Sequence, residues 1–279
     1  MTRMVTEHEV GLDDGRVLHA YDSGADASAR LTLMWHHGSP QTGAPLGAVL
    51  AAATARGIRL ISYGRPGYGG STPNPGRDVA SAATDAVAVA DALGVEGFAA
   101  MGASGGGPHA LAGAALAPDR VIGVVTLAGV APYTEAFDWF GGMRAPGALR
   151  AARAGRAARA AFAETDEFDP DVFLPVDLAA LEGTWADLGS DSARAGRDGP
   201  DGLVDDDVAF AKPWGFELER VAAPVLLVQG DGDRIVPRTH AAWMLGRLPN
   251  ASLWMRLDDG HVSVLDTVPD AMDWLLERL

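Results

Sequence analysis

The chain has 279 residues, 48% of them hydrophobic, and a formal net charge of −15. That apolar content excludes intrinsic disorder, and the length suits one core domain carrying a sizeable insertion. The negative balance disfavours nucleic acid and anionic membrane surfaces as partners, and the absence of cysteine removes disulfides, thiolate nucleophiles and cysteine-ligated metals.

Met1 to Val10 carries Glu7, His8 and Glu9 and has no apolar h-region, so it does not read as a secretory signal. Thr6–Leu12 and Arg16–Tyr21 predict two strands joined by the turn Asp13-Asp14-Gly15. Strand Leu31–Trp35 and helix Ala44–Arg56 follow, then strand Ile58–Ser62 and helix Asp78–Leu93, which Gly94 ends. Phe98–Met101 predicts a strand, Gly106–Ala117 a helix and Val121–Leu127 a strand. No stretch approaches the ~18 uncharged apolar residues of a membrane span, and a cytoplasmic location is expected.

From Pro132 to Leu218 no strand is expected, only Ala/Arg-rich and Asp-rich helical pieces. Arg150, Arg153, Arg156 and Arg159 recur there at every third residue. At 3.6 residues per turn they fan around a helix, which points to a solvated surface helix. Alternation resumes with strand Val225–Gln229, helix Arg238–Leu248, strand Ser252–Arg256 and helix Val262–Leu279. The pattern implies an α/β fold with a mostly parallel, eight-stranded sheet flanked by helices. Residues 1–131 and 219–279 form the expected core domain, and 132–218 an inserted helical cap, or lid.

Gly102-Ala103-Ser104-Gly105-Gly106 lies between a predicted strand and a predicted helix. A serine on such a turn needs small neighbours so that strand and helix can approach, and the turn aims its Oγ out of the sheet. A phosphate-binding loop is the rival reading, but no Gly-Lys-Ser/Thr follows and the spacing is not that of a dinucleotide loop. A serine hydroxyl needs a base, and the base an orienting acid. Asp231 and Asp233 follow the strand Val225–Gln229, and His261 follows the strand ending at Arg256. Loops at the carboxyl ends of strands are where catalysis gathers in open α/β sheets.

These motifs resemble the α/β-hydrolase superfamily: His37-Gly38-Ser39-Pro40, Arg65-Pro66-Gly67-Tyr68-Gly69-Gly70-Ser71, Gly102 to Gly106, Gly230-x-x-Asp233 and Gly260-His261. The resemblance implies Ser104 as nucleophile, Asp233 (not Asp231, Asp258 or Asp259) as acid and His261 as base. It implies an oxyanion hole from the backbone N–H groups of Gly105 and Ser39. His37 is expected to be structural, and His36 and His109 to serve in packing. A serine in the nucleophile position sets the chain apart from the aspartate-dependent dehalogenases and epoxide hydrolases of this fold. The family commonly has an acid before the arginine of the loop after the fourth strand; Gly64 stands there, which puts the rigidity of that loop in question.

The expected activity is that of a serine esterase acting on a small-molecule ester through an acyl-enzyme, with no cofactor and no metal. A carbon–carbon bond hydrolase, a lactonase, a proline iminopeptidase-like enzyme and a cofactor-free haloperoxidase would use the same three residues. A ligand-binding receptor with slow turnover is the alternative of another class. Trp139, Phe140, Trp185 and Trp214, with Phe216, are candidate pocket walls, and Glu164, Glu167 and Glu182 are the acids that could meet a substrate amine.

Overall fold

The computed structural model describes residues 5–24, 29–167, 169–197 and 199–278. Met1 to Met4 of the N-terminal reading and Leu279 of the last expected helix lie outside the described residues. The sheet has eight strands in the order β1-β2-β4-β3-β5-β6-β7-β8. They are β1 (Thr6–Gly11), β2 (Val17–Asp22), β3 (Leu31–His36), β4 (Ile58–Tyr63), β5 (Phe98–Ala103), β6 (Val121–Leu127), β7 (Val225–Gly230) and β8 (Ala251–Arg256). β1 and β2 pair antiparallel, β2 joins β4 antiparallel, and every later pairing is parallel.

The period of two along each strand divides the core into two layers. Leu33, Trp35, Leu60, Met101, Val125 and Leu226 face one side, where α1 (Gly47–Ala55) and α10 (Val268–Leu276) cover them. Met34, Ile61, Ala100, Val124 and Leu227 face the other, against α2 (Ser81–Ala92), α3 (Gly106–Leu116) and α9 (Thr239–Leu245). β5 is buried at every residue, as a central parallel strand covered on both faces must be. The expected helix Val262–Leu279 divides into a 3₁₀ turn, Ser263–Thr267, and α10, because Pro269 at the start of α10 has no N–H to continue a helix through it.

Between β6 and β7 the described residues hold no strand. The helical segment runs through α4 (Gly147–Arg153), α5 (Arg156–Ala163), α6 (Pro175–Glu182), α7 (Ala186–Ala195) and α8 (Asp201–Phe210). No helix among the described residues is long and apolar enough to cross a membrane.

Candidate active site

Ser104 stands on the turn between β5 and α3 with φ at 51°, in the left-handed region. A non-glycine residue there costs about 1–3 kcal/mol and persists only where its surroundings impose it. Here the Ser104 N–H donates to the Leu127 carbonyl at 2.8 Å, and the Ser104 carbonyl accepts from the Gly107 N–H at 3.0 Å. The flanking glycines are required by close approach. A Cβ on Gly102 would overlap the Gly106 carbonyl, and one on Gly106 the carbonyl of His36.

His261 follows β8, and its Nε2 lies 2.9 Å from Ser104 Oγ. Its Nδ1 lies 2.8 Å from Asp233 Oδ2. The other oxygen, Asp233 Oδ1, accepts the N–H groups of Ile235 at 2.8 Å and Val236 at 2.9 Å, while Gln229 Nε2 donates to Oδ2 at 3.1 Å. A carboxylate pinned in this way keeps the imidazole proton on Nδ1 and turns the Nε2 lone pair toward the serine. Burial pulls the His261 pKa down, but the charge and hydrogen bond of Asp233, with a contribution from Asp177, raise it above 6.5. Asp231 is occupied elsewhere, accepting the Asp258 N–H at 2.9 Å.

The loop after β3 runs beside the serine. The Gly38 N–H donates to Gln41 Oε1 at 2.5 Å, and the Ser39–Pro40 bond is cis. A Cβ on Gly105 would overlap Ser39 Oγ, so the loop and the serine turn are in direct contact. His37 is a buried fastener: Nδ1 donates to the Gly38 carbonyl at 2.7 Å and Nε2 accepts the Arg65 N–H at 3.1 Å. Burial, then the nearby Arg65 charge, hold its pKa well below 6.5, so it is neutral. His36 packs edge-on against Tyr63, and His109 bonds the Gly105 carbonyl through Nδ1 at 2.7 Å. Gly64 has no room for a side chain, since a Cβ would fall 2.7 Å from the carbonyl oxygens of Thr42 and Tyr68.

A cavity of about 320 Å³ opens on Ser104 and His261. The core contributes Trp35, Leu46, Val262 and Leu265 to its wall, and the helical segment contributes Phe173, Leu188 and Ser192. The expected aromatic walls lie elsewhere. Trp139 is buried in the core, donating to the Ala131 carbonyl at 2.9 Å and packing on Phe140 and His240. Trp185 donates to Asp266 Oδ1 at 2.8 Å. Trp214 and Phe216 pack on each other at a tilt of 41° beside a separate cavity of about 540 Å³, which no residue of the Ser104 site lines. Trp139, Trp185 and Trp214 are all almost completely buried, so their area contributes to packing. Leu188 and Ser192, four residues apart on α7, share one helix face, and that spacing was the available sequence signal.

The arginine series is a solvated face only in part: Arg150 and Arg153 are exposed, whereas Arg159 is buried. Gly155, at φ 108°, separates α4 from α5 and resets the helical register. Arg150 and Arg153 cover the rings of Phe140 and Tyr133, Arg156 pairs with Asp201 and Asp205, and Arg159 is buried against Asp207 at 2.6 Å. Two further carboxylates of the segment reach the site. Asp177 Oδ1 accepts the N–H groups of Val262 and Ser263, beside His261, and Asp206 reaches the Ser39 loop. Their signal, an aspartate within a polar helical piece, does not differ in sequence from that of an exposed acid.

The alpha/beta hydrolase fold profile matches residues 32–268, and the chain belongs to that family. A Synechocystis sp. protein carrying the provisional name of a non-heme chloroperoxidase is 24% identical over 95% of this chain and 93% of its own length. The thermophilic esterase of Thermogutta terrifontis superposes with a TM-score of 0.73 at 20% identity, covering 98% of this chain and 99% of its own. A Rhodococcus sp. esterase gives 0.72 at 23% identity, covering 99% of each chain.

Proposed function

We propose that the protein hydrolyses small-molecule carboxylic esters through an acyl-enzyme, with Ser104 as nucleophile, His261 as base and Asp233 as the orienting acid. The observation that carries this reading is the row of side chains Ser104–His261–Asp233, spaced 2.9 and 2.8 Å, whose Ser104 and His261 line the 320 Å³ cavity. His261 Nε2 takes the hydroxyl proton as Oγ attacks the carbonyl carbon. The backbone N–H groups of Gly105 and Ser39 receive the developing oxyanion. The imidazolium then gives its proton to the leaving alkoxide, and water repeats the cycle against the acyl group.

Residues 132–218 act as the lid, with Phe173, Leu188 and Ser192 as its share of the wall. No carboxylate lines the cavity among the described residues, which favours a neutral, apolar acyl group. Glu164, Glu167 and Glu182 are exposed and none lines the cavity, so a substrate amine has no acid to meet there.

Labelling with a fluorophosphonate, wild type against Ser104→Ala, followed by a panel of p-nitrophenyl esters, tests the reading. Wild type labels and turns over short esters; the variant does neither, keeping at most the residual ~10³–10⁴ over water that binding and the oxyanion hole supply. Labelling that persists in Ser104→Ala rejects the assignment. The name of the Synechocystis relative supports a second reading, peracid formation at the same serine. Peroxide-dependent halogenation in acetate buffer, lost in Ser104→Ala, measures it.

A further inference from the structure

Asp206 of α8 has a fully buried side chain, yet it comes from the helical segment and points at core loops. Its carboxylate accepts from Ser39 Oγ at 2.5 Å, Arg65 Nη2 at 2.7 Å, Arg77 Nη1 at 2.6 Å and the Tyr68 hydroxyl at 2.9 Å. Burial opposes its ionisation, but the charges of Arg65 and Arg77 hold it well below the usual carboxylate range, so it is an anion. Arg65 carries the contact onward. Its Nη1 donates to the His37 carbonyl at 2.5 Å, and its Nη2 to the Gly38 carbonyl at 3.3 Å and to Ser39 Oγ at 2.9 Å.

The consequence lies in one peptide plane. The Gly38 carbonyl and the Ser39 N–H belong to the same planar trans unit, so they point in opposite directions. Arg65 and His37 Nδ1 hold that carbonyl from behind, and Ser39 Oγ is held by Asp206 from the side. The direction of the Ser39 N–H is thereby set by groups that never face the cavity. The contact between Gly105 and Ser39 Oγ places this plane beside the serine turn.

We infer that Asp206 is a positioning residue: through the Ser39 hydroxyl and Arg65 it aims the Ser39 N–H into the oxyanion hole, so that the helical segment completes that hole. The inference rests on the serine hydrolase reading above. It differs from a packing role because it predicts a loss confined to the chemical step. A displaced donor weakens stabilisation of the developing oxyanion and leaves the apolar wall, and so ground-state binding, intact.

The test is phosphonylation kinetics with an alkyl fluorophosphonate, separated into KI and the limiting rate constant of inactivation. The variants are Ser39→Ala, Asp206→Asn, the double variant, and Asp207→Asn as control. Asp207 sits next along α8 and pairs with Arg159. Ser39→Ala keeps the backbone N–H and removes only its tether. Ser39→Ala and Asp206→Asn are each expected to lower the limiting rate about 10-fold or more, short of the ~10²–10³ for outright loss of a donor, with KI within about twofold. The double variant is expected to fall no further than the worse single variant, because both cut the same link. Asp207→Asn keeps the wild-type rate while losing thermal stability.

Wild-type limiting rates in Ser39→Ala overturn the inference, even if Asp206→Asn fails to fold. So does a folded Asp206→Asn in which only KI changes, or single losses that multiply in the double variant. A wild type that does not label at all removes the hydrolase reading, and this inference with it.

Discussion

Val262, the residue after His261, donates its backbone N–H to Asp177 Oδ1 at 2.8 Å, which ties the histidine loop to a helix 85 residues away in sequence. The same oxygen accepts the Ser263 N–H at 2.9 Å, and the other oxygen caps its own helix at the Leu174 N–H. Burial works against this carboxylate, but the three backbone donors lower its pKa below 3.8.

Asp177→Ala leaves the Val262 and Ser263 N–H groups buried without partners. Each such group costs about 1–3 kcal/mol. The expected result is a fall in unfolding free energy of about 2–6 kcal/mol by urea denaturation, with a fall in kcat/KM at fixed temperature. Because the Asp177 pKa is depressed in the folded state, its stabilisation is present above 3.8 and lost as the pH drops through the folded value.

On the proposed serine-hydrolase reading, activity requires neutral His261. Its pKa is raised above 6.5, so kcat/KM is expected to climb with pH along a limb whose midpoint lies above 6.5. Asp177→Asn, which removes one of the negative charges that raise it, shifts that midpoint down. The stability linkage has the opposite sense: the His261–Asp233 contact stabilises fully below 6.5 and its contribution fades as pH rises through the folded pKa. A pH-rate profile beside a pH series of thermal melts measures both.

Cavity shape gives a specificity prediction. Leu188 lines the Ser104 cavity, whereas Trp214 lines the other one. Leu188→Ala shifts the ester panel toward longer acyl chains, and Leu188→Phe toward shorter ones. Trp214→Ala leaves the acyl preference alone but lowers stability by about 3–5 kcal/mol, as truncation of a buried ring does. A change of preference in Trp214→Ala without a change in Leu188→Ala reverses the assignment of the two cavities.

Gly106→Ala pushes a methyl group into the His36 carbonyl, which is backbone and cannot yield without moving β3. Overpacking of this kind costs about 1–3 kcal/mol or more. The variant is expected to melt earlier and to label more slowly, while Gly97→Ala, whose Cβ would meet only an ordinary contact at 3.7 Å, is tolerated.

The middle of the sheet was legible because an inner strand buried on both faces writes itself as an apolar run, as β3 to β7 do, while β1 and β2 were legible from the turn Asp13-Asp14-Gly15 between them. Ser104, Asp233 and His261 were legible because each follows a strand and sits among glycines. The pocket wall was not: Trp139, Trp185 and Trp214 drew notice by size, yet size favours core packing equally, and the wall went to Phe173 and Leu188. Nor were the carboxylates that join segment to core. Asp177 and Asp206 act over more than 80 residues of sequence, and no local pattern separates a carboxylate that will be buried against arginine from one left in water.

Asp205, Asp206 and Asp207 stand consecutively on α8 and each meets a different arginine: Arg156, Arg65 with Arg77, and Arg159. Three adjacent positions span most of a helix circumference, so α8 is gripped from several directions, two partners belonging to its own segment and two to loops of the sheet domain. Grafting this helical segment onto another core would strand the Asp206 carboxylate, and replacing it here would strand the Arg65 and Arg77 guanidinium groups, at about 3–5 kcal/mol for a broken buried pair. Chimaeras designed to trade substrate range must therefore carry Arg65 and Arg77 along with the helix that neutralises them.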